Sequence, residues 1–282
     1  MKKLLIWVCT ATLLAACGNN AEKKAGEKLQ AAREALQRGD YSEAKIQVDS
    51  IKILYPKAFE ARREGLKVIQ QAELKEQEHS LVYLDSMLQV KQTEFEALKG
   101  KFVFEKNAEY QQIGNYFWPT QVVEKNLHRS YLRFQVNERG AMVMTSIYCG
   151  GSNIHHSAVK VTAPDGSFAE TPASKDSYET SDLGEKIEKA DYKLGQDGHV
   201  MGFIYMNKDK NVRVEYLGER KYTITMSATD RQALVGVYEL SQLLSSIEQV
   251  KKDIKEANLK IEFITRKMQD SAEKEKAKEK EK

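Results

Sequence analysis

Cysteine is scarce in this chain of 282 residues, which contains only Cys9, Cys17 and Cys149. Cys149 is the only cysteine beyond the first 17 residues, so the body of the chain contains no pair of cysteines that could form a disulfide. Long apolar runs are also missing: the run at residues 4–14 is shorter than the roughly 20 residues that a bilayer span needs. These absences exclude a disulfide-stapled fold and an N-terminal transmembrane helix.

The chain also lacks an excess of charge of one sign. It contains 44 Lys and Arg against 41 Asp and Glu, and its formal net charge is +3. Lys2 and Lys3 contribute two of these positive charges, so the chain without its first residues carries about +1. Because phosphate binding needs a concentrated basic field, nucleic acid is not an expected partner.

The first residues contain the parts of an export signal. A basic start at Lys2 and Lys3 precedes the apolar run, and small residues precede Cys17. The ending Leu14-Ala15-Ala16-Cys17 resembles the lipobox of bacterial lipoproteins. The resemblance implies that residues 1–16 are a lipoprotein signal peptide and that Cys17 becomes the acylated first residue, a membrane-lipid anchor. Several acyl chains anchor a protein durably, whereas a single chain is marginal.

The residues after Cys17 indicate a compartment. Gly18, Asn19 and Asn20 follow it. No Asp stands next to Cys17, where many bacterial lipoproteins have a residue that resembles an inner-membrane retention mark. An acidic cluster, similar to the surface-export signal of Bacteroidota lipoproteins, is also absent. The resemblance therefore implies the cell envelope, with the anchor in the periplasmic leaflet of the outer membrane.

A helical region follows the signal. Residues 17–28 are polar and small and are expected to be a tether, and residues 29–99 are expected to be helical. Gly39-Asp40-Tyr41 marks a turn into a second helix. The residues after this turn are similar to the second helix of a tetratricopeptide repeat, namely Ala44, Val48, Ile51 and Pro56. Since no second repeat with these marks follows, the resemblance implies a single helical hairpin rather than a solenoid.

Two heptad patterns flank the middle of the chain. The first comprises Leu81, Leu84, Leu88, Lys91, Phe95 and Leu98 and ends at Gly100. The second lies in residues 231–271 and comprises Leu240, Leu244, Ile247, Lys251, Ile254, Asn258, Ile261, Thr265 and Met268. An intramolecular antiparallel coiled-coil stalk is the favoured interpretation, with Asn258 fixing its register. A homo-oligomer formed through the heptads is the alternative. Residues 272–282 are expected to be a charged, disordered tail.

Residues 101–230 are expected to form a β-rich module. Residues 131–136 alternate apolar and polar side chains, a turn follows at 137–140, and 141–148 is a second strand. Further strands are expected at residues 158–162, 168–171, 201–206, 212–216 and 222–226, and a short helix within 174–188. The predicted fold class is α+β: an N-terminal helical hairpin, a coiled-coil stalk and an inserted, antiparallel, sandwich-like β module.

Catalytic and metal-binding motifs are missing. The sequence has no Cys-x-x-Cys, His-Glu-x-x-His or Gly-x-Ser-x-Gly. Adjacent histidines on a strand point to opposite faces, which disfavours a metal site built from His155 and His156 with His128 and Cys149. Cys149 is expected to be a buried structural thiol. No metal, cofactor or catalytic residue is expected.

Serine hydrolysis is a weak candidate activity. Ser146 or Ser152 would serve as nucleophile with His155 or His156 as base. The sequence gives no sign of the base and orienting group that such a nucleophile needs.

Aromatic residues are densest at Tyr116, Phe117 and Trp118, with Pro119 next to them. Core packing is the favoured interpretation, because aromatic side chains dominate core energetics. The alternative is a ligand-binding surface on which sugar rings stack.

Together these features favour a non-enzymatic envelope scaffold or adaptor that binds a protein partner through its helical surfaces. A glycan- or peptide-binding protein that uses the β-rich head is the alternative. An unrecognised hydrolase is a third and weaker hypothesis.

Overall fold

The structure is a computed structural model that describes residues 2–280, with side chains from Asn20 onward except those of Lys278 and Glu279. The side chains of the predicted signal peptide and of Cys17 lie outside the described residues, so lipidation stays a prediction. Along the described chain, no helix has the length and apolar character needed to cross a membrane. The chain divides into unit 1, with Met1–Ser86 and Lys252–Lys282, and unit 2, with Met87–Lys251.

Unit 1 is helical. Helices α1 (Lys2–Gln37) and α2 (Tyr41–Leu54) are joined by a turn in which Gly39 has a φ of 79°. The Asp40 side chain accepts a hydrogen bond from the Glu43 backbone N–H at 3.0 Å and caps α2. Ten buried residues of this unit form an apolar cluster: Ala25, Leu29, Ala32, Ala35, Ala44, Val48, Ile51, Ala58, Ala61 and Val68. Because Ala25 is fully buried in it, residues 20–28 are part of the fold and the predicted tether is wrong for them.

Two further helices, α3 and α5, are the longest of the described chain. Helix α3 (Phe59–Lys99) ends immediately before Gly100, as predicted. Helix α5 (Ala228–Lys280) includes residues 272–280, so the tail predicted to be disordered is helical as far as it is described. Lys and Glu are good helix formers, and Glu275 accepts a salt bridge from Lys67 at 2.9 Å.

The apolar seam of α5 differs from the predicted one at every second position. Val250, Ala257 and Ile264 are buried, whereas Lys251 and Asn258 are exposed. With these three residues the seam at positions 247, 250, 254, 257, 261, 264 and 268 is apolar throughout, which explains why it is preferred. Asn258 donates its side-chain N–H to a backbone carbonyl of its own helix. The prediction that it sets the register is therefore wrong.

Unit 2 contains two antiparallel sheets. The larger has the order β1-β2-β3-β4-β8-β7, with β1 (Val103–Glu105), β2 (Asn115–Phe117), β3 (Tyr131–Asn137), β4 (Met142–Gly150), β7 (Ser177–Asp182) and β8 (Glu185–Lys193). The smaller has the order β10-β9-β5-β6, with β5 (Ala158–Thr162), β6 (Phe168–Glu170), β9 (Arg213–Leu217) and β10 (Tyr222–Thr225). The predicted pairing of the two strands within 131–148 is confirmed: Tyr131 lies opposite Ile147 and Val136 opposite Met142.

Two secondary-structure predictions in unit 2 are wrong. Residues 201–206 belong to a helix, α4 (Val200–Met206), rather than a strand. A short apolar run does not distinguish a buried helix from a strand, and the Asp197 carboxylate accepts the Met201 N–H at 2.7 Å at the start of this helix. The polar stretch at 174–188 contains the β7–β8 hairpin rather than a helix, with Leu183 and Gly184 at φ 46° and 87° in its turn.

The core of unit 2 joins both sheets to α4 and α5. Buried residues of β3 and β4, such as Phe134 and Met144, share one cluster with Val161 and Val214 of the smaller sheet and Leu240 of α5. Between residues 2 and 280 the fold is therefore α+β, with five α-helices and two antiparallel sheets of six and four strands.

Candidate functional sites

The three aromatic residues considered as a ligand site do not share one surface. Tyr116 and Phe117 end β2, where successive side chains point to opposite faces, and Trp118 follows. Phe117 is buried and lies beneath the guanidinium of Arg133, 4.2 Å from the ring centroid. Trp118 packs against α5, where a Cβ added at Gly236 would lie 2.3 Å from its ring. Trp118 therefore contacts the core of unit 2, whereas Phe117 is buried beneath Arg133 outside the core cluster.

Tyr116 lines a cleft of about 700 Å³ in unit 2. Its ring centroid is 5.8 Å from that of Phe95 and 4.7 Å from that of Phe104. Burial raises the pKa of Tyr116, and the nearby Glu138 carboxylate acts in the same direction. The other lining residues are mainly polar: Gln92, Glu96, Lys106, Gln112, Ile113, Glu138, Arg139, Leu244, Ile247, Glu248 and Lys251. A few apolar groups among amides and charges suit a polar ligand.

A buried network joins Ser146, His156 and Glu188. The Ser146 hydroxyl lies 2.8 Å from His156 Nε2, and His156 Nδ1 lies 2.9 Å from Glu188 Oε2. The Ser146 residue is 0% exposed, His156 4% and Glu188 1%. Strand pairing positions two of the three, because Ser146 lies on β4 and Glu188 on the adjacent β8.

Glu188 also holds the segment that follows β4. Its two oxygens accept backbone N–H groups of Ile154, His155 and His156 at 2.6–2.9 Å, in addition to the His156 ring. Burial by itself would raise the pKa of this carboxyl, but the hydrogen bonds to its charged form outweigh burial and lower it. The ionised carboxylate therefore fixes the β4–β5 connection in place through these hydrogen bonds.

The order Ser–His–Glu is that of a hydrolase triad, and it supplies the base and orienting group that the sequence did not reveal. Burial argues against hydrolysis, however. A nucleophile must reach the scissile carbonyl of its substrate, and the Ser146 hydroxyl belongs to a residue without solvent exposure. Ser152, the other candidate, lies on the surface, where its hydroxyl accepts a hydrogen bond from Arg220 at 2.7 Å.

Three metal-capable side chains meet beside this network. One ligand atom each from His155, Glu179 and Glu188 lie within 4.8 Å of one another. Their lone pairs are already engaged: Glu188 accepts four N–H groups, and Glu179 accepts Asn153 Nδ2 at 2.9 Å and pairs with His155. Coordination of a cation would require these bonds to break, so the donor set does not fit a metal without rearrangement.

His128 and Cys149 come together elsewhere, on the outer face of the larger sheet. Both contact Glu185, His128 through Nδ1 and Cys149 through Sγ at 3.3 Å. Burial and the Glu185 carboxylate raise the pKa of Cys149 to about 11, and hydrogen bonding to Glu185 raises the pKa of His128. Cys149 is thus an unreactive thiol. It lines a cavity of about 180 Å³, called here the outer-face cavity.

An apolar groove occupies the surface of unit 1. Two adjoining cavities of about 530 and 510 Å³ share Leu66 and Ile69 of α3. The first is also lined by Val48, Asp49, Lys52, Phe59, Arg62 and Arg63, and the second by Lys45, Gln70, Glu73, Glu76, Gln77, Lys260, Phe263, Ile264 and Lys267. We call this surface the helical groove. Phe59, Leu66 and Phe263 are 73%, 54% and 58% exposed.

Comparison with family models, with curated proteins and with solved structures gave no match. The geometry of the sites is therefore the basis for assigning a function.

Sequence reasoning missed the central residue of the buried network. Glu188 is 42 positions from Ser146 in the sequence and has no local motif. The signal that could have located it is the pairing of β4 with β8, which depended on recognising a hairpin in the polar stretch 174–188. The helical groove was missed because its residues come from α2, α3 and α5.

Proposed function

We propose that this protein is a lipid-anchored adaptor of the cell envelope whose helical groove binds an acidic, amphipathic helix of a partner protein. The observation that carries this proposal is the exposed apolar lining of the groove. Phe59, Leu66 and Phe263 each leave more than half of their surface open to solvent. Contiguous exposed apolar surface with a polar rim is typical of protein interaction sites. An amphipathic helix laid in such a groove buries its apolar face.

The rim of the groove favours an acidic partner. Six basic residues line it against three acidic ones. Lys45 forms a salt bridge with Glu76 at 2.7 Å. Lys52, Arg62 and Lys267, in contrast, have no salt-bridge partner among the described residues. Arg62 donates to the Pro56 carbonyl, and Lys267 lies 4.5 Å from the Phe263 ring centroid. These three cations are available to acidic side chains on a partner, and such complementarity sets specificity and association rate.

Acylation of Cys17 would place this groove at a membrane surface, in keeping with an adaptor at the periplasmic face of the outer membrane.

An antiparallel pairing of α3 with α5 is part of the proposal. In unit 1, Lys67 binds Glu275, whereas Gln77 lines a cavity with Lys260. Residue numbers thus rise along α3 as they fall along α5, which is the direction an antiparallel stalk requires.

The test uses a fluorescent, acidic amphipathic peptide and a twin in which every Glu is Lys. Both are titrated by anisotropy against the full chain and two variants. Leu66→Asp places a charge in the groove, and Val82→Asp changes a residue of the same helix that is 69% exposed. We expect the acidic peptide to bind, and Leu66→Asp to weaken it by roughly tenfold or more while Val82→Asp has little effect. Equal binding of the two peptides, or equal effects of the two variants, would contradict the proposal.

A glycan-binding head is the second candidate, and the Tyr116 cleft is the observation that favours it. Its amides and charged groups surround an aromatic ring, as a sugar ligand would need. Titration with envelope glycan fragments distinguishes the two. Binding that Tyr116→Ala abolishes and Leu66→Asp leaves intact would favour the glycan function.

A further inference from the structure

The outer-face cavity is built from the exposed side of the larger sheet. Tyr131 and Ile147 lie opposite each other on β3 and β4, and Ile147 lies opposite Lys189 on β8. Their side chains therefore point to the same face. Leu127 and Leu183 form rims of the cavity and are 60% and 86% exposed. Its floor is apolar and its edge carries cations.

Arg133 lines this cavity without a polar partner. Its guanidinium stacks on Phe117, and it makes no hydrogen bond or salt bridge among the described residues. Its Nε is buried and has no acceptor, and the same is true of Nε of Arg129, which lines the cavity too. Arg129 is otherwise bonded to Asp230 at 2.6 Å. The Nη groups of Arg133 also make no hydrogen bond among the described residues and, unlike its Nε, are not buried, so they are the donors open to an acceptor bound in the cavity.

The backbone conformation of the rim residue Leu183 is energetically unfavourable. It has a positive φ of 46° in the β7–β8 turn, where Asn, Asp or Gly is preferred. A branched apolar residue in this conformation, largely exposed, serves neither the turn nor the core. Strain of this kind is characteristic of functional positions. A contact between Leu183 and a bound apolar group would account for it.

We propose that the outer-face cavity binds a small amphipathic carboxylate, with its apolar part between Leu183 and Ile147 and its carboxylate on Arg133. Lys189 reinforces the positive charge, because it has no carboxylate partner among the described residues. Two acidic residues also line the cavity. Glu185 is engaged by His128 and Cys149, which leaves Asp182 as the uncompensated negative charge.

The size of the cavity restricts the ligand. A cavity of roughly 150 Å³ accommodates one benzene ring, and this one has about 180 Å³. One aromatic ring, or a chain of about six carbons, therefore fills it and leaves the carboxylate at the mouth beside Arg133. A guanidinium binds a carboxylate through two parallel hydrogen bonds, which a neutral group of the same shape does not match.

The experiment is a fluorine NMR titration of the full chain with 4-fluorobenzoate and with its neutral twin, 4-fluorobenzyl alcohol. Arg133→Gln removes the proposed carboxylate contact. Arg213→Gln is the matched control, because Arg213 is an exposed arginine on the smaller sheet. Leu183→Asn removes the apolar rim but suits the turn better, so this variant is expected to fold at least as stably as the wild type.

We expect saturable binding of the acid, weakened roughly tenfold or more by Arg133→Gln and severalfold by Leu183→Asn, with no change for Arg213→Gln. The alcohol should bind more weakly than the acid and be insensitive to Arg133→Gln. Absence of saturation up to about 10 mM, or an equal loss in the Arg213 control, would overturn the proposal. If Arg133→Gln fails to fold, unchanged affinity in Leu183→Asn would overturn it. None of these readings depends on the helical groove.

Discussion

Glu188→Gln tests whether the buried network is a structural staple. The carboxylate accepts four N–H groups, three from the backbone at Ile154, His155 and His156 and one from the His156 ring. A glutamine keeps one oxygen for two of these donors and turns an NH₂ group toward the other two. Leaving a buried donor without its acceptor costs about 1–3 kcal/mol, so two such donors cost about 2–6 kcal/mol. That is a large part of the roughly 5–15 kcal/mol that stabilises a typical protein.

The assay is urea unfolding of the full chain in mild detergent, followed by tryptophan fluorescence in a Trp7→Phe background that leaves Trp118 as the reporter. Glu179→Gln is the matched control, since Glu179 is an exposed carboxylate that pairs with His155 in the same region. Exposed ion pairs contribute at most about 1 kcal/mol. A Glu188→Gln variant within about 0.5 kcal/mol of wild type, or a Glu179→Gln variant that loses as much, would refute the reasoning.

The pH dependence of the same comparison has a definite sign. The folded protein lowers the pKa of Glu188, so its contribution is present above the unfolded pKa and is lost as pH falls through the folded pKa. The stability difference between wild type and Glu188→Gln should therefore be constant near neutral pH and shrink below about pH 4.5. A difference that grows on acidification would contradict an ionised Glu188.

Three further predictions concern packing and reactivity. Gly140→Ala is expected to cost about 3 kcal/mol in the same unfolding assay, because φ is 82° and a Cβ would lie 2.3 Å from the Ser245 N atom of α5; unchanged stability would argue against this contact. Cys149 should be alkylated by iodoacetamide at pH 8 about 100-fold more slowly in the folded than in the urea-unfolded protein, because folding raises its pKa to about 11. Peptide mass spectrometry measures the two alkylation rates, and equal rates would contradict the prediction. Gly236→Ala should destabilise unit 2 and shift Trp118 emission because the new Cβ meets that ring, whereas a more stable variant with unchanged emission would contradict the packing.

Much of the fold was predictable because its signals are local. The alternation at 131–136 and the turn ending at Gly140 located the β3–β4 pair, and Gly100 marked the end of α3. The errors arose where tertiary contacts decide between local alternatives. The apolar run at 201–206 fits a strand or a helix equally well. The hydrogen bond that the Asp197 side chain accepts from the Met201 N–H favours the helix.

The sites were less predictable because they join distant residues. Asn258 and Ala257 are adjacent candidates for the same position of the α5 seam, and only the packing of the helix shows that Ala257 is the buried one. Glu188 gains its role from a strand pairing that the polar sequence of β7 concealed. Tyr116, Phe117 and Trp118 form a compact aromatic segment in the sequence, yet β2 divides the first two between opposite faces of the sheet.

The most direct test of the adaptor proposal is site-specific photocrosslinking in cells that make the lipidated protein. A photoreactive amino acid is placed at Leu66 in the helical groove, or at Val82 outside it. We expect a defined protein adduct at Leu66, which is lost when Lys52, Arg62 and Lys267 are together changed to Glu or when Cys17→Ala removes the anchor. An adduct that survives charge reversal and loss of the anchor would contradict the adaptor proposal, and so would an equal adduct at Val82 or no adduct at Leu66.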